Sequence, residues 1–540
     1  MSKAYDMLDW NFMEAILSDF CFPIKFIKWI MACLKDPSYL ILMNGRIQGE
    51  FRGKKGLRQG DPISPLLFVL AMKYCTRLLC QASLDKRFRF HAKCKPLKLV
   101  NLCFADDLVI FCKGVSNSVQ IMRDSFTEFC KASGLSANLQ KSQVYFGGLD
   151  DRETHQLLER LQFTEGNFPL KYLGVPLRTT KWKAGDYAII ITKIQQKLHT
   201  WASRHLSFSG RAQLVNTVLL SLRSFWMSIF MLPKSVTKEI DRLCRNFLWG
   251  VKDGNANRSK LHFTAWSQVF LPKCMGGLGF KEGFSWNTVL LAKFVWAVSS
   301  KQDILWVKWV DSIYMKGQDF WSYSIPQDVS WYWRRLVKLR SVFSANSLAA
   351  TVKKDKLCLK LLYYRLLNRE RVEFANVVWC SLAVPKHRFI LWQASLGHLL
   401  TRDKLHYCNL EMPSLLCPVC EMEQESHAHL FFVCPFSQQL TAQKVDWLGR
   451  DLWPNSYELW CTWMCGKPQR LKHQIFAAAL AASVYMIWRN RNLCVFELRS
   501  LAIGHVIQLI KFSLRSRLAR FPKLKVKASE VAFFEAVVQM

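Results

Sequence analysis

A chain of 540 residues, 51% of them hydrophobic, is long enough to bury several cores, and length alone suggests roughly three or four domains. Its 75 Lys and Arg against 40 Asp and Glu leave a formal charge of +35. That excess attracts polyanions, nucleic acid first and anionic membrane second, and disfavours a closely packed homo-oligomer, so a monomer is expected. No apolar stretch reaches the roughly 20 residues of a bilayer span, and the polar start MSKAYDMLDW lacks the apolar core of a secretory signal. The 19 cysteines are odd in number and scattered. Those in apolar runs, such as Cys75, Cys80, Cys103 and Cys112, are expected to be small buried thiols of a reducing compartment, nucleus or cytoplasm.

The first 150 residues mix helix-like segments (NFMEAILSDF and SPLLFVLAMKYCTRLL) with short strand candidates (YLILMNG, FADDLVIF and QVYFGG), an α+β pattern. Within them, GEFRGKKGLRQGDPISPLLF sets Arg52, Lys54, Lys55 and Arg58 around Gly53 and Gly56. Gln59, Gly60 and Asp61-Pro62 then lead to a helix start marked by Ser64-Pro65. A basic, glycine-rich turn at such a place can approach phosphates closely; a solvated loop is the plain alternative.

Further on, LCFADDLVIFCKG places Asp106 and Asp107 between two apolar runs, at or near a hairpin turn. Neighbouring anions at a tight turn repel each other. A hard divalent cation such as Mg²⁺ relieves this with only one or two protein carboxylates, whereas a merely solvated turn needs no ion.

From about 185 to 250 the pattern is helical, and between 260 and 340 tryptophans gather at helical spacing, which fits a core better than a base-stacking platform. FAAALAASVYMIW, at 476 to 488, reads as a buried helix. Between them, CPVCEMEQESHAHLFFVC contains Cys417, Cys420, His429 and Cys434 in a C-x2-C-x8-H-x4-C spacing. It suits one tetrahedral structural Zn²⁺ better than a redox pair, with His427 as a rival to His429. What this module binds is open between nucleic acid, suited by Lys386, Arg388 and Trp392 nearby, and a protein-packing face. The C-terminal basic run, with Lys511, Arg515, Arg517, Arg520, Lys523, Lys525 and Lys527, suits phosphate binding, a nuclear import signal or a solvated tail.

MSKAYD, GLRQGDPISPLLF, FADD, GLSANLQKS and YLGVPL stand in the order found in reverse transcriptases of plant non-LTR (LINE-type) retrotransposons, which the chain resembles. FSGRAQLVNTVLLS, FLPKCMGGLGF and VPKHRFILW resemble later parts of the same elements, and carry the likeness to about residue 440. The resemblance implies an α+β right-hand polymerase. Its parts are a palm of antiparallel sheet with helices over 1–178, lacking fingers; a helical thumb-like region over 179–250; and a Trp-rich connector over 251–340. A reverse-transcriptase zinc-binding domain follows over 341–440, then a helical basic region over 441–540.

It also implies RNA-directed DNA synthesis by two-metal nucleotidyl transfer on an RNA template and DNA primer or target DNA, with deoxynucleotides as substrates. Asp106 and Asp107 would hold Mg²⁺, Asp106 touching both ions. Gln59 and Gly60 would pack on the incoming nucleotide; Lys3, Ala4 and Tyr5 would lie at its triphosphate, Tyr5 as the gate against a ribose 2′-hydroxyl. Lys141 would serve the leaving pyrophosphate, unless it is a plain surface lysine, and Arg52, Lys54, Lys55 and Arg58 would contact nucleic acid. At the zinc module, the His ahead of Leu-Phe-Phe, His429, is the ligand in these elements.

One position departs from the family. Its first palm strand reads Asp, a variable residue, then Ser-Lys-Ala-aromatic-Asp, and that leading Asp is the third metal ligand; here it would precede Met1. Asp6 stands roughly 20 Å along an extended segment and cannot substitute. Little or no polymerase activity is therefore expected of this chain, and the rival is a non-catalytic, zinc-containing, nucleic-acid-binding pseudoenzyme.

Overall fold

A computed structural model describes residues 1, 3–178, 180–202, 206–250, 264–449, 453–454, 456–465, 471–520 and 531–539. Lys523, Lys525 and Lys527 lie outside them. The chain folds as two compact units: Met1–Lys181 with Ala297–Trp331, and Trp182–Trp296 with Tyr332–Met540.

In the first unit, helices Trp10–Asp19, Ile24–Lys35, Ser64–Ala82 and Ser116–Ser133 enclose a core that includes Met13, Leu17, Phe68, Cys75, Leu79 and Phe129. Local chemistry sets their ends. The Asp9 carboxylate caps the first by accepting from the Phe12 N–H at 3.0 Å. Pro65 opens the third. Gly134 ends the fourth at φ +72, where an added Cβ would stand 2.9 Å from the Met7 carbonyl. Ile27, Ile30, Met31 and Leu34 repeat at helical spacing and form the buried stripe of Ile24–Lys35.

The strands are short. Ser38–Met43 pairs with Arg46–Arg52 across an Asn44-Gly45 turn, both residues at positive φ, and this hairpin is exposed on both faces. Asn101–Phe104 pairs with Asp107–Ile110. The expected antiparallel palm sheet is reduced: among the described residues every sheet has two strands. The candidate at 143–148 yields only Gln143–Val144, paired in parallel with Thr164–Glu165, because Gly147 and Gly148 interrupt it before the capped helix at Asp151. The opening segment is not extended either. Lys3 is left-handed, and the Asp6 and Met7 amides bond back to the Lys3 carbonyl, closing a single helical turn, Ala4–Met7. Of the cysteines expected inside, Cys75 is buried, Cys112 half-buried, and Cys80 and Cys103 exposed, since neither of the last two falls on its element's inward face.

The second unit is helical. Phe208–Leu214, a π-turn Val215–Leu219 and Leu220–Met227 run on into one another, and Lys234–Trp249 ends at Gly250 with φ +75. Between these helices Arg223, fully buried, pairs with Asp241 at 2.6 Å and donates to the Lys281 carbonyl at 2.7 Å. Burial outweighs that pairing, so the Asp241 carboxyl is pushed up to about 6. The helix Leu471–Glu497 is apolar on nearly every side and packs against Pro385–Ser395 and Ile503–Ala519, as an all-round apolar helix must. No helix among the described residues is long and apolar enough to cross a membrane.

Candidate functional site

The acidic pair sits on a two-residue turn. Phe104 pairs with Asp107, leaving Ala105 and Asp106 as the turn, with Ala105 at φ +49. A non-glycine residue there is strained, a cost that the pairing of the flanking strands sustains. The Asp106 side chain is 50% exposed and Asp107 is exposed. Both line a cleft of about 2300 Å³ whose walls include Met1, Lys141 and Tyr172. The Met1 amine donates to the Asp106 carbonyl at 3.0 Å and lies 3.9 Å from its carboxylate. The negative charge is felt nearby: the Tyr172 phenol is raised first by burial and then by Asp107, and the Cys103 thiol by burial, then Asp106 and Asp107. Two adjacent, water-accessible carboxylates at the rim of a cleft fit a magnesium ion, which keeps waters and takes its remaining oxygens from substrate phosphates.

The other residues singled out by sequence gather elsewhere along the opening segment. The Gly56 amide donates to the Leu8 carbonyl at 2.8 Å, the Leu57 amide to the Tyr5 carbonyl at 2.6 Å, and Trp10 Nε1 to the Gly56 carbonyl at 2.7 Å. Gly56 has φ +91, and an added Cβ would lie 2.7 Å from the Asp6 carbonyl, so only glycine permits this docking. Arg58, Gln59 and Gly60 are left exposed beyond it, and Arg52, Lys54 and Lys55 are exposed ahead of it. Ala4 is buried, Lys3 exposed, and Tyr5 half-buried with its ring stacked on Phe68 at 5.1 Å. Of all these candidates, Asp106, Asp107 and Lys141 share the cleft; Lys3, Ala4, Tyr5, Arg52, Lys54, Lys55, Arg58, Gln59 and Gly60 do not line it. The opening segment meets both groups, the acidic turn at Met1 and the glycine loop at Tyr5 and Leu8.

The second unit holds a different kind of centre. The ligand atoms of Cys417, Cys420, His429 and Cys434 all lie within 4.8 Å of one another. The first two flank a tight turn in which the Glu421 amide donates to the Cys417 carbonyl at 2.8 Å. The π-turn His429–Val433 brings the last two together, closed by the Cys434 amide on the His429 carbonyl at 2.7 Å. His429 Nε2 is 3.2 Å from Cys420 Sγ, and its Nδ1 is 2.9 Å from a Glu423 carboxylate oxygen. A proton held on Nδ1 by that carboxylate leaves Nε2 free as a ligand. His427 faces away, its Nε2 2.9 Å from the Leu399 carbonyl.

A hydrogen bond from Cys434 is the main influence holding Cys417 down at about 5. Backbone amides of Cys420 and Val419 assist it against burial, while the shared proton drives Cys434 up. Thiolate-favouring amides, four soft or imidazole donors and mostly buried ligands fit a closed zinc site with no open position.

Sequence inspection missed two partners of this module. Glu423 carries no signal beyond being an acid near a histidine. Glu425, wholly buried, receives Arg491 at 2.7 and 2.8 Å and the Arg402 amide at 2.8 Å, linking the module to the helix Leu471–Glu497 across 66 residues.

Residues 1–177 match the family described as reverse transcriptase (RNA-dependent DNA polymerase), and residues 359–440 match that described as zinc-binding in reverse transcriptase. A putative ribonuclease H protein of Arabidopsis thaliana is 31% identical over 173 residues, covering 32% of this chain and 27% of that protein. The Pol polyprotein of the type-2 retrotransposable element of Drosophila melanogaster is 27% identical over 257 residues, 46% of this chain and 23% of its own length. A protein of the Xenopus laevis transposon TX1 is 23% identical over 253 residues, 46% of this chain and 19% of its own. The chain thus spans about a quarter or less of the relatives it matches here.

Proposed function

Because the chain belongs to the reverse transcriptases of non-LTR retrotransposons and carries their zinc-binding domain, we propose that residues 1–178 are a palm for RNA-templated DNA synthesis. One observation carries this reading: the Asp106-Asp107 turn opens into a large cleft shared with Lys141, beside the segment that in the family bears the third carboxylate.

In this reading Asp106 and Asp107 hold divalent metal, which supplies Lewis acidity at the primer 3′-hydroxyl and neutralises charge on the triphosphate. Lys141 faces the leaving pyrophosphate, lending positive charge or a proton. Gly60, at φ +94 with nothing within 4 Å of an added Cβ, leaves room for a base pair to slide against the backbone at Gln59. The Tyr5 ring, steadied on Phe68, excludes a 2′-hydroxyl, with Lys3 and Ala4 at the triphosphate. Arg52, Lys54, Lys55 and Arg58 are exposed and meet template or primer phosphates. The zinc at Cys417, Cys420, His429 and Cys434 holds its module folded and takes no part in the chemistry.

The rival reading is nucleic-acid binding without catalysis, carried by the exposed cations Arg52, Lys54, Lys55 and Arg58 together with the zinc module. Primer extension on an RNA template in Mg²⁺ or Mn²⁺ separates them. Residues 1–540 should incorporate little, whereas a chain carrying the family's leading Asp and fingers ahead of Met1 should extend the primer. Robust extension by both, or by neither, counts against this account of the seat.

A further inference from the structure

The cleft at the acidic hairpin has a wall that comes from far along the chain. Leu305, Trp306 and Trp309 line it together with Arg89, Lys93 and Lys95, although the stretch Ala297–Trp331 lies outside both family matches and joins the first unit only through folding. One hydrogen bond fastens it: Trp309 Nε1 donates to the Lys93 carbonyl at 2.8 Å, across 216 residues. The loop that receives it is closed on itself, since the Cys94 and Lys95 amides donate to the His91 carbonyl at 2.9 and 3.0 Å. Cys94, Val307 and Val310 are buried, which anchors both pieces and leaves Lys93, Lys95 and Leu305 exposed.

Charge and apolar surface are interleaved on this wall. Arg89, Lys93 and Lys95 are exposed, and among the described residues none of them has a carboxylate at ion-pair distance. The same wall carries apolar groups: Leu305 is 44% exposed, Phe90 is half-buried, and the half-buried Trp309 ring is held edge to face with Tyr314 at 5.6 Å. Apolar surface left in water along a large cleft favours a ligand that covers it. Cations without acids favour an anion. A duplex offers phosphates but keeps its base faces stacked inside, so the indole and the leucine would gain nothing from it; an unpaired strand offers phosphates and base faces together.

We propose that the wall formed by Arg89, Lys93, Lys95, Leu305 and Trp309 holds a single-stranded polynucleotide, its phosphates on the three cations and its bases against the indole and the leucine. This deepens the palm reading, and rests on it for the identity of the strand: the unpaired RNA template. The contacts are to phosphates and ring faces, so binding is indifferent to base sequence.

The test uses the full chain with a single-stranded RNA of about 20 nucleotides carrying photoreactive 4-thiouridine, and a duplex of the same length and label. Crosslinks mapped by mass spectrometry should fall in residues 89–95 or 305–309 with the single strand, and drop at least about fivefold with the duplex. Lys93→Gln with Lys95→Gln should lower the slope of log affinity against log salt by about 0.7 per cation on the single strand, at an unchanged thermal midpoint. The pair Lys25→Gln with Lys28→Gln, exposed in the same unit and outside the cleft, is the control and should change the slope less. The proposal is overturned if the crosslinks lie elsewhere, if the duplex gives as many, if the slope is unmoved or falls equally in the control, or if it falls only together with the midpoint. Primer extension by a chain carrying the family's leading Asp and fingers, without these crosslinks, overturns this proposal alone. Crosslinks that persist in Asp106→Asn with Asp107→Asn, while that longer chain fails to extend, support the strand wall and count against the palm reading alone.

Discussion

In the proposed reading the acidic hairpin of the first unit and the cysteine cluster of the second both hold a cation, yet they treat charge in opposite ways. Asp106 and Asp107 stay in water at a cleft rim, supported by a four-residue strand on each side. Cys417, His429 and Cys434 are buried, and in the same unit Glu425 is buried against Arg491, while the Glu423 carboxylate on His429 stays exposed. Exposure leaves coordination positions for a substrate; burial uses every position for the protein. The first arrangement suits turnover and adds little to stability, whereas the second holds a fold and has nowhere to admit a reactant.

The sharpest way to break this contrast is to remove one ligand from each seat. Cys417→Ser should abolish zinc stoichiometry and unfold residues near 400–440, on the scale of roughly 10–16 kcal/mol known for small zinc-dependent folds. Asp106→Asn should leave thermal stability within about 0.5 kcal/mol, as other surface changes do. Metal content by mass spectrometry with a thermal melt reads both. Equal destabilisation would erase the distinction.

Next in size is the buried pair. Arg491→Ala leaves Glu425 charged and without its guanidinium partner, at a cost of about 3–5 kcal/mol in a denaturant melt. Replacing both, with Glu425→Gln and Arg491→Met, should recover much of that loss. If the single variant costs under 1 kcal/mol, Glu425 is less enclosed than its position implies.

Lys444 is buried beside the Trp453 ring, and loss of hydration depresses its ammonium to about 7 from 10.5. The unfolded chain therefore binds one more proton than the folded chain between those values, so stability rises with pH through that window, by a few kcal/mol at most. Lys444→Met should flatten the rise. A melt series from pH 7 to 10 that is already flat in the unsubstituted chain would contradict this.

The smallest change sharpens the zinc side. Glu423→Gln weakens the hold on His429 Nδ1 and should reduce zinc affinity about 10- to 100-fold while preserving the fold at saturating zinc. Competition with a chromogenic chelator measures it.

The acidic turn and the cysteine cluster were legible as local geometry. The FADD turn lies between two apolar runs, and the Cys-His spacing is a short-range pattern, so period and spacing alone place the residues. The helices at Trp10–Asp19, Ser64–Ala82 and Lys234–Trp249 followed from apolar spacing for the same reason. What escaped depends on distant partners. Arg491 reads as a polar end to an apolar run, yet it is 4% exposed because Glu425 waits for it across the fold. Arg223 and Lys444 look like ordinary helix cations, yet both are buried. The extended opening segment failed because Lys3 accepts two local backbone bonds, a competition that strand patterns do not reveal.

The central claim is that the acidic hairpin is a metal seat, and Mn²⁺ binding followed by electron paramagnetic resonance, with RNA template, DNA primer and deoxynucleotide present, tests it most directly. The chain bearing Asp ahead of Met1 should bind Mn²⁺, and Asp106→Asn with Asp107→Asn should remove that binding while nucleic acid still associates. Mn²⁺ binding that persists undiminished in the doubly substituted chain would contradict the account.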